Sequence, residues 1–387
     1  MPCIPLQWNT TPATVGIGSM RLSILRRTLG RRRDIDALRG LAICLVVAGH
    51  LGFGQLGMSW LGDVIYSFHI PLFVFVSGYV LWRPRADSAR SWIARRFQGL
   101  VIPYLAWTAL YWCLAWLTTG TMPPLSRLWL SLLTPWGGAT SPWFLYSLFM
   151  CCLLVTPFRQ SPKALLYSAL IVALLPHMGI LPWTNAISSI DPRSIALGAG
   201  GIFGWKDVLW LYPFLAGGFL ASAYSSQLAA RKKPILVVSF VAAPVLLIAV
   251  WPISSGFAAM APWLHSITDS HMPSLANYLL VLLRYPLALS FIAILFFLTP
   301  TLGTTAEKAL AFLGVNSLGI YCAHILLLGH SGHGIGSGPL LWVTGFAFVL
   351  FGSLAVTLVI ARIPYVRYLF LGRRTSGNQK PLGSAPL

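Results

Sequence analysis

The sequence predicts an all-α polytopic membrane protein of about ten transmembrane helices, with both termini in the cytoplasm. Three observations carry this reading. Of 387 residues, 57% are apolar and only 9% are charged, where a soluble domain carries roughly 25% charged residues. The mean hydropathy is +0.75. The basic residues also fall almost wholly on one side of the apolar segments. With 27 basic residues against 8 acidic ones, the chain has too few solvating groups to cover a water-facing surface. A water-soluble enzyme and a disordered chain are therefore excluded. The net charge of +19 reads as positive-inside loops, and no nucleic-acid partner is expected.

A helix needs about 20 apolar residues, at 1.5 Å rise each, to cross roughly 30 Å of hydrocarbon. Ten stretches qualify: 37–56, 62–82, 99–118, 142–158, 164–183, 207–225, 234–252, 275–298, 309–329 and 339–361. The fourth is short, and Pro176 interrupts the fifth, which blurs its bounds. Threading them from a cytoplasmic N-terminus puts 22 basic residues on the cytoplasmic side and only 3, Arg127, Arg193 and Lys206, outside. Adding or removing one span would scramble this asymmetry. The expected organisation is a basic cytoplasmic segment over 1–33, a ten-helix membrane domain over 34–362, and a basic, disordered cytoplasmic tail over 363–387.

The ends and the cysteines add little. The first 19 residues carry no charge, and no small-residue cleavage site follows Arg21–Arg33, so no secretory signal is expected. Met20 is an alternative start. Cys44, Cys113, Cys151, Cys152 and Cys322 lie in or beside apolar runs and read as small packing residues. No metal site is expected, because His324, His330 and His333 lack ligand spacing.

Ionisable groups inside spans are costly and are functional candidates by default. They are Asp36 and Arg39 at the start of span one, His50 within it, His69 in span two, Arg284 in span eight and His324 in span nine. Counting rise from the span ends puts the three histidines roughly 20 Å above the cytoplasmic edge, with Arg284 near 17 Å. Arg39, Arg95 and Arg96 fall at the edge itself. Bland readings stand beside these. A lone histidine can simply satisfy a backbone carbonyl, Arg39 can snorkel to the interface, and Arg95 and Arg96 can be ordinary topology signals. Trp143 either joins the interfacial aromatic belt or lines a site.

The ordered motifs resemble one family. Ten residues separate Arg39 from His50 in the first span, within Asp36-Ala-Leu-Arg39-Gly-Leu-Ala-Ile-Cys-Leu-Val-Val-Ala-Gly-His50. Then come Tyr66-Ser-Phe-His69-Ile-Pro71-Leu-Phe-Val-Phe-Val-Ser77-Gly78-Tyr79 and Arg95-Arg96-Phe-Gln-Gly-Leu-Val-Ile-Pro103-Tyr104. Trp143-Phe-Leu-Tyr146 and Leu318-Gly-Ile-Tyr321-Cys-Ala-His324 complete the set. Over about 34–330 the chain resembles the integral-membrane acyltransferase-3 family of O-antigen, exopolysaccharide and nodulation-factor O-acetylases, especially its fucose 4-O-acetylase-like branch. Some members carry a C-terminal esterase-like domain; here the work is expected to be completed within the membrane domain or with a separate partner.

The resemblance implies transfer of an acyl group, acetyl by default, from cytoplasmic acyl-CoA (acetyl-CoA) to a sugar hydroxyl of an exported or cell-surface glycan or glycolipid. No bound cofactor is implied; acyl-CoA is a co-substrate. Its phosphates cannot enter hydrocarbon, which suits Arg39, Arg95 and Arg96 at the cytoplasmic mouth. A sugar hydroxyl is a poor nucleophile and needs a base, the role expected of His50, which alternatively carries the acyl group. Asp36 is expected to orient Arg39. His69, Ser77, Arg284 and His324 are expected to orient the base or stabilise the oxyanion, and Trp143, Tyr146 and Tyr321 to line the substrate site. The expected location is the bacterial inner membrane. An exporter or flippase of lipid-linked sugars also fits many spans with buried basic residues, but the internal repeats or paired broken helices expected of one are not evident in the sequence. The membrane-bound O-acyltransferases are a further enzyme alternative that matches the motifs less well.

Overall fold

A computed structural model describes residues 33–82, 88–120, 142–174, 205–254, 275–328 and 338–373. The arginines before Arg33, the loops holding Arg127, Arg193, His177, His265, His271, His330 and His333, and the tail after 373 lie outside the described residues. Among the described residues every regular element is a helix. In chain order they are α1 (Arg33–Leu51), α2 (Ser59–Leu81), α3 (Ala89–Thr119), α4 (Trp143–Val155), α5 (Pro162–Leu174), α6 (Trp205–Ala223), α7 (Ser225–Ala230), α8 (Lys232–Ser254), α9 (Leu275–Leu298), α10 (Thr304–Val315), α11 (Ser317–Leu328), α12 (Pro339–Arg362) and α13 (Pro364–Leu371).

Among the described residues five helices are long and apolar enough to cross a membrane, or six if α10 and α11 count as one broken span. α4, α5 and α6 are apolar but shorter. α1 is a less apolar case, because Arg33, Asp34, Asp36 and Arg39 occupy its first two turns. It is nonetheless the centre of the bundle, packing on α2, α10, α11 and α12. Most of its length is buried.

Lipid tails are as apolar as leucine, so membrane helices associate through close van der Waals fit at small residues. The α1–α10 contact shows this. A Cβ on Gly40 would fall 1.8 Å from the Leu310 carbonyl oxygen, and one on Gly314 would fall 1.8 Å from that of Asp36. The pairing of 36 with 314 and 40 with 310 makes the two helices antiparallel. Gly78 and Gly218 seat α2 against α6 in the same manner.

α3 holds a π-helical segment over Phe97–Val101, where the Ile102 N–H reaches back to the Phe97 carbonyl. Pro103 follows at once; it lacks an N–H and crowds the preceding turn, which favours such a widening. The segment re-aims the arginine-bearing end of α3 relative to its apolar body.

Two expectations are corrected here. The ninth span, 309–329, is not one helix: α10 and α11 are bent by 75°. At Asn316 the side-chain amide donates to the Phe312 carbonyl at 3.0 Å, while the backbone N–H turns to Leu313 at 3.0 Å. The side chain has replaced the helical bond and released the chain from the helix. The tail expected from 363 also begins too early. α13 docks on α3, where the Trp107 indole N–H donates to the Phe370 carbonyl at 3.0 Å. The Arg373 guanidinium donates to the Val315 carbonyl at the end of α10. A helix this short is marginal alone, so its order comes from docking, which span-length hydropathy does not register.

Candidate active site

The three histidines expected in one layer come together. The rings of His50 (α1) and His324 (α11) lie 5.0 Å apart between centroids, tilted by 45°. Tyr66 of α2 stands edge-on to both His50, at 6.3 Å, and His69, at 4.9 Å. His69 is thus joined to His50 through the Tyr66 ring. Burial separates their roles: His69 and His324 are 2% and 0% exposed, whereas His50 is exposed.

Hydrogen bonds set the state of the two buried rings. His69 Nδ1 lies 2.8 Å from the Ile65 carbonyl oxygen, and His324 Nδ1 bonds the Tyr321 carbonyl. A carbonyl only accepts, so both Nδ1 atoms carry hydrogen, and in the neutral ring Nε2 holds the lone pair. The bland reading of these residues is therefore half right, since each does satisfy a backbone carbonyl. Yet His324 Nε2 is buried with no hydrogen-bond partner among the described residues. An unpaired buried acceptor is costly, and this one belongs to the ring beside His50.

Two tyrosines hold α11 in place. The Tyr111 hydroxyl donates to the Cys322 carbonyl, and the Phe144 backbone N–H donates to the Tyr321 hydroxyl at 3.3 Å. Tyr321 thereby ties the start of α4 to α11 one turn before His324.

Beside this layer lies a narrow cavity of about 60 Å³, bordered by Arg39, Ser77 and Tyr321 among mostly apolar side chains such as Val46, Ile70 and Phe73. Arg39, expected at the cytoplasmic mouth, and Tyr321, expected to line the substrate site, border this one cavity. The Ser77 hydroxyl donates to the Phe73 carbonyl at 2.8 Å, so its proton is engaged and its lone pairs remain for the cavity. Asp36 sits one turn before Arg39 and is 7% exposed.

Arg96 belongs to a stacked cluster. Its guanidinium lies 5.4 Å from the Trp92 ring centroid, and that of Arg159 lies 5.2 Å from the same ring. Trp92 is 4% exposed and Arg159 8%. Arg95 is exposed.

Some expected site residues stand apart. Tyr146 is buried against Tyr104, at 5.4 Å between centroids, and does not border the cavity. Trp143 is half-buried, edge-on to Phe144 at 6.2 Å. Arg284 of α9 is half-buried, and its neighbour Tyr285 packs against Trp210 and Phe214 of α6 at 4.6 and 5.6 Å between centroids. Phe68 stacks on Phe291 at 4.7 Å and Phe75 meets Phe296 at 5.9 Å, so α2 and α9 run parallel. Among the described residues no hydrogen bond or ion pair joins Arg284 to the histidines.

Tyr66, Trp92 and Arg159 were not singled out as site residues from the sequence. Tyr66 was legible, three residues before His69 and hence on its helix face. Arg159 and Trp92 carried no local signal: one counted as a topology residue, the other as one tryptophan among 16.

Fold and site thus define an integral membrane protein with an interior histidine cluster beside a cavity that begins at a half-buried arginine. The acyltransferase domain family (acyltransferase-3) matches residues 32–362, and the chain belongs to it. The chain is 31% identical over 161 residues to nodulation protein NolL of Mesorhizobium japonicum, covering 38% of this chain and 43% of that protein. It is 30% identical over 174 residues to nodulation protein NolL of Sinorhizobium fredii, covering 39% and 44%. The chain thus spans less than half the length of these curated relatives. No solved structure matches the chain significantly.

Proposed function

We propose that this protein is an inner-membrane O-acyltransferase that moves an acyl group, acetyl by default, from cytoplasmic acyl-CoA to a sugar hydroxyl of an exported or cell-surface glycan. The single observation that carries the reading is the exposed His50 ring set 5.0 Å from buried His324, beside a cavity that begins at Arg39. The family, and relatives whose names tie them to nodulation, give the reading its substrate class.

In this proposal the donor enters from the end of the bundle that carries Arg39, Arg95 and Arg96, its phosphates held by guanidinium groups that remain charged. Arg159 and Trp92 hold Arg96 in place. The pantetheine arm threads the apolar cavity past Arg39 toward Tyr321. Arg39 lies eleven residues from His50, roughly 16 Å along α1, a span that an extended arm covers. The sugar hydroxyl gives its proton to the His50 imidazole as its oxygen attacks the thioester carbonyl. The tetrahedral intermediate collapses, the thiolate leaves, and the imidazolium returns the proton to it. In the covalent variant His50 itself attacks the thioester carbonyl and expels the thiolate; the sugar oxygen then attacks the acyl carbon and displaces the imidazole, and the hydroxyl proton passes to the thiolate. His324 orients the His50 ring, and His69 does so through Tyr66.

Ten spans with both termini cytoplasmic complete the proposal, supported by the 22-to-3 division of basic residues. The test is transfer from radiolabelled acyl-CoA to a glycan fraction, paired with mass spectrometry of glycans from cells with and without the gene. The expected result is a mass difference of one acyl group that depends on His50. Unchanged glycans, with no label transferred by the purified protein, would reject it.

A further inference from the structure

A second cavity lies away from the histidines and is unused by the proposed chemistry. It is a groove of about 520 Å³ between α6, α8 and α9, floored by Phe75 of α2. Its origin is topological. α6 packs along α2, and α8 packs along α9, while only the short α7 links α6 to α8. The two helices diverge from that link and leave a slot between them. Leu220, Val238, Ala242, Leu289 and Phe296 line it. Its polar content is small, and the Ser290 hydroxyl already donates to the Pro286 carbonyl at 2.7 Å. The groove therefore offers an occupant dispersion contact and almost no hydrogen bonds, which selects a hydrocarbon chain. The outer face of the same helix α8 exposes Val237, Val241, Val245 and Ile248, each at least 60% exposed, so the slot opens beside a lipid-facing wall.

A basic triplet flanks one end of the groove. Leu228 and Ile235 line it there and bracket Arg231, Lys232 and Lys233, of which Arg231 and Lys233 are exposed. No acidic residue occurs anywhere in 208–268, so no carboxylate of this stretch neutralises the triplet. Basic pockets between membrane helices recruit anionic lipid headgroups, with each such residue adding a comparable electrostatic increment. We propose that the groove binds one anionic phospholipid, with an acyl chain lying between α6 and α8 and the phosphate held by Arg231, Lys232 and Lys233.

The proposal does not depend on acyl transfer and is tested without it. The full-length protein in detergent is given equal amounts of phosphatidylglycerol and phosphatidylcholine with matched chains, and bound lipid is read by native mass spectrometry. Phosphatidylglycerol is expected to be retained preferentially, with a preference that weakens as salt is raised. Combined Arg231→Gln, Lys232→Gln and Lys233→Gln changes only the basic triplet flanking the groove and should remove about tenfold of that preference. Ala221→Trp and Ala242→Trp, made separately so that one misfolded variant does not decide the outcome, should each expel both lipids. Equal retention of the two lipids by the unaltered protein would overturn the proposal. So would a triple variant that keeps its preference, tryptophan variants that bind as before, or disulfide capture of two copies through Val238→Cys, which would make the occupant a second chain.

Discussion

His50 and His324 face each other at 5.0 Å between ring centroids, one exposed and the other fully buried. The buried ring has one nitrogen committed to the Tyr321 carbonyl and the other without a partner among the described residues. This asymmetry assigns different work to the two. His50→Ala should lower acyl transfer by about 10²–10⁴-fold while the protein still inserts and accumulates. His324→Ala should give a smaller loss, in kcat rather than in the KM for donor. Near-normal turnover in His50→Ala would remove it as base and as carrier alike.

The α1–α10 contact predicts a stability effect. Gly40→Ala sets a methyl group against the Leu310 carbonyl, 1.8 Å away before any relaxation, and backbone cannot yield as a flexible side chain does. A loss of about 1–3 kcal/mol is expected, visible as a lower thermal midpoint in detergent. Gly62→Ala is the control, because its nearest neighbour is a Phe53 ring atom at an ordinary 3.7 Å.

The Arg96–Trp92–Arg159 cluster predicts a donor effect. Arg96→Ala should raise the KM for acyl-CoA on the order of tenfold and flatten its salt dependence. Arg96→Lys should recover only part of this, since lysine keeps the charge without the planar fork that stacks on Trp92. Donor kinetics unchanged at every ionic strength would leave Arg95 and Arg96 as topology signals alone.

Arg284 lies inside α9, and no hydrogen bond or ion pair among the described residues joins it to the histidines. Arg284→Ala is expected to alter the KM for the glycan acceptor and to leave that for acyl-CoA unchanged. Two-substrate kinetics check this. A change confined to donor KM would contradict an acceptor role for Arg284.

Reporter fusions test the orientation. Insertions after residues 58, 137 and 335 should report the outside, and those after 87, 161 and 232 the cytoplasm. One clear reversal within the first three spans would break both the ten-span reading and the donor's side of entry.

Composition alone established that the chain is a helical membrane protein, because 9% charged residues cannot solvate a globular surface. Helix positions followed from runs of apolar residues, and the candidate histidines from the cost of a polar group in hydrocarbon. Those are one-dimensional facts, since each depends on a residue and its near neighbours. Tertiary structure alone decided the rest. Asn316 turned one expected span into two helices by exchanging a backbone bond for a side-chain bond, which apolar counting does not detect. Trp107 and Phe370 drew α13 out of the expected tail. Arg159 and Arg96 met over Trp92, and His50 met His324, because packing between helices brings together residues that no sequence spacing relates.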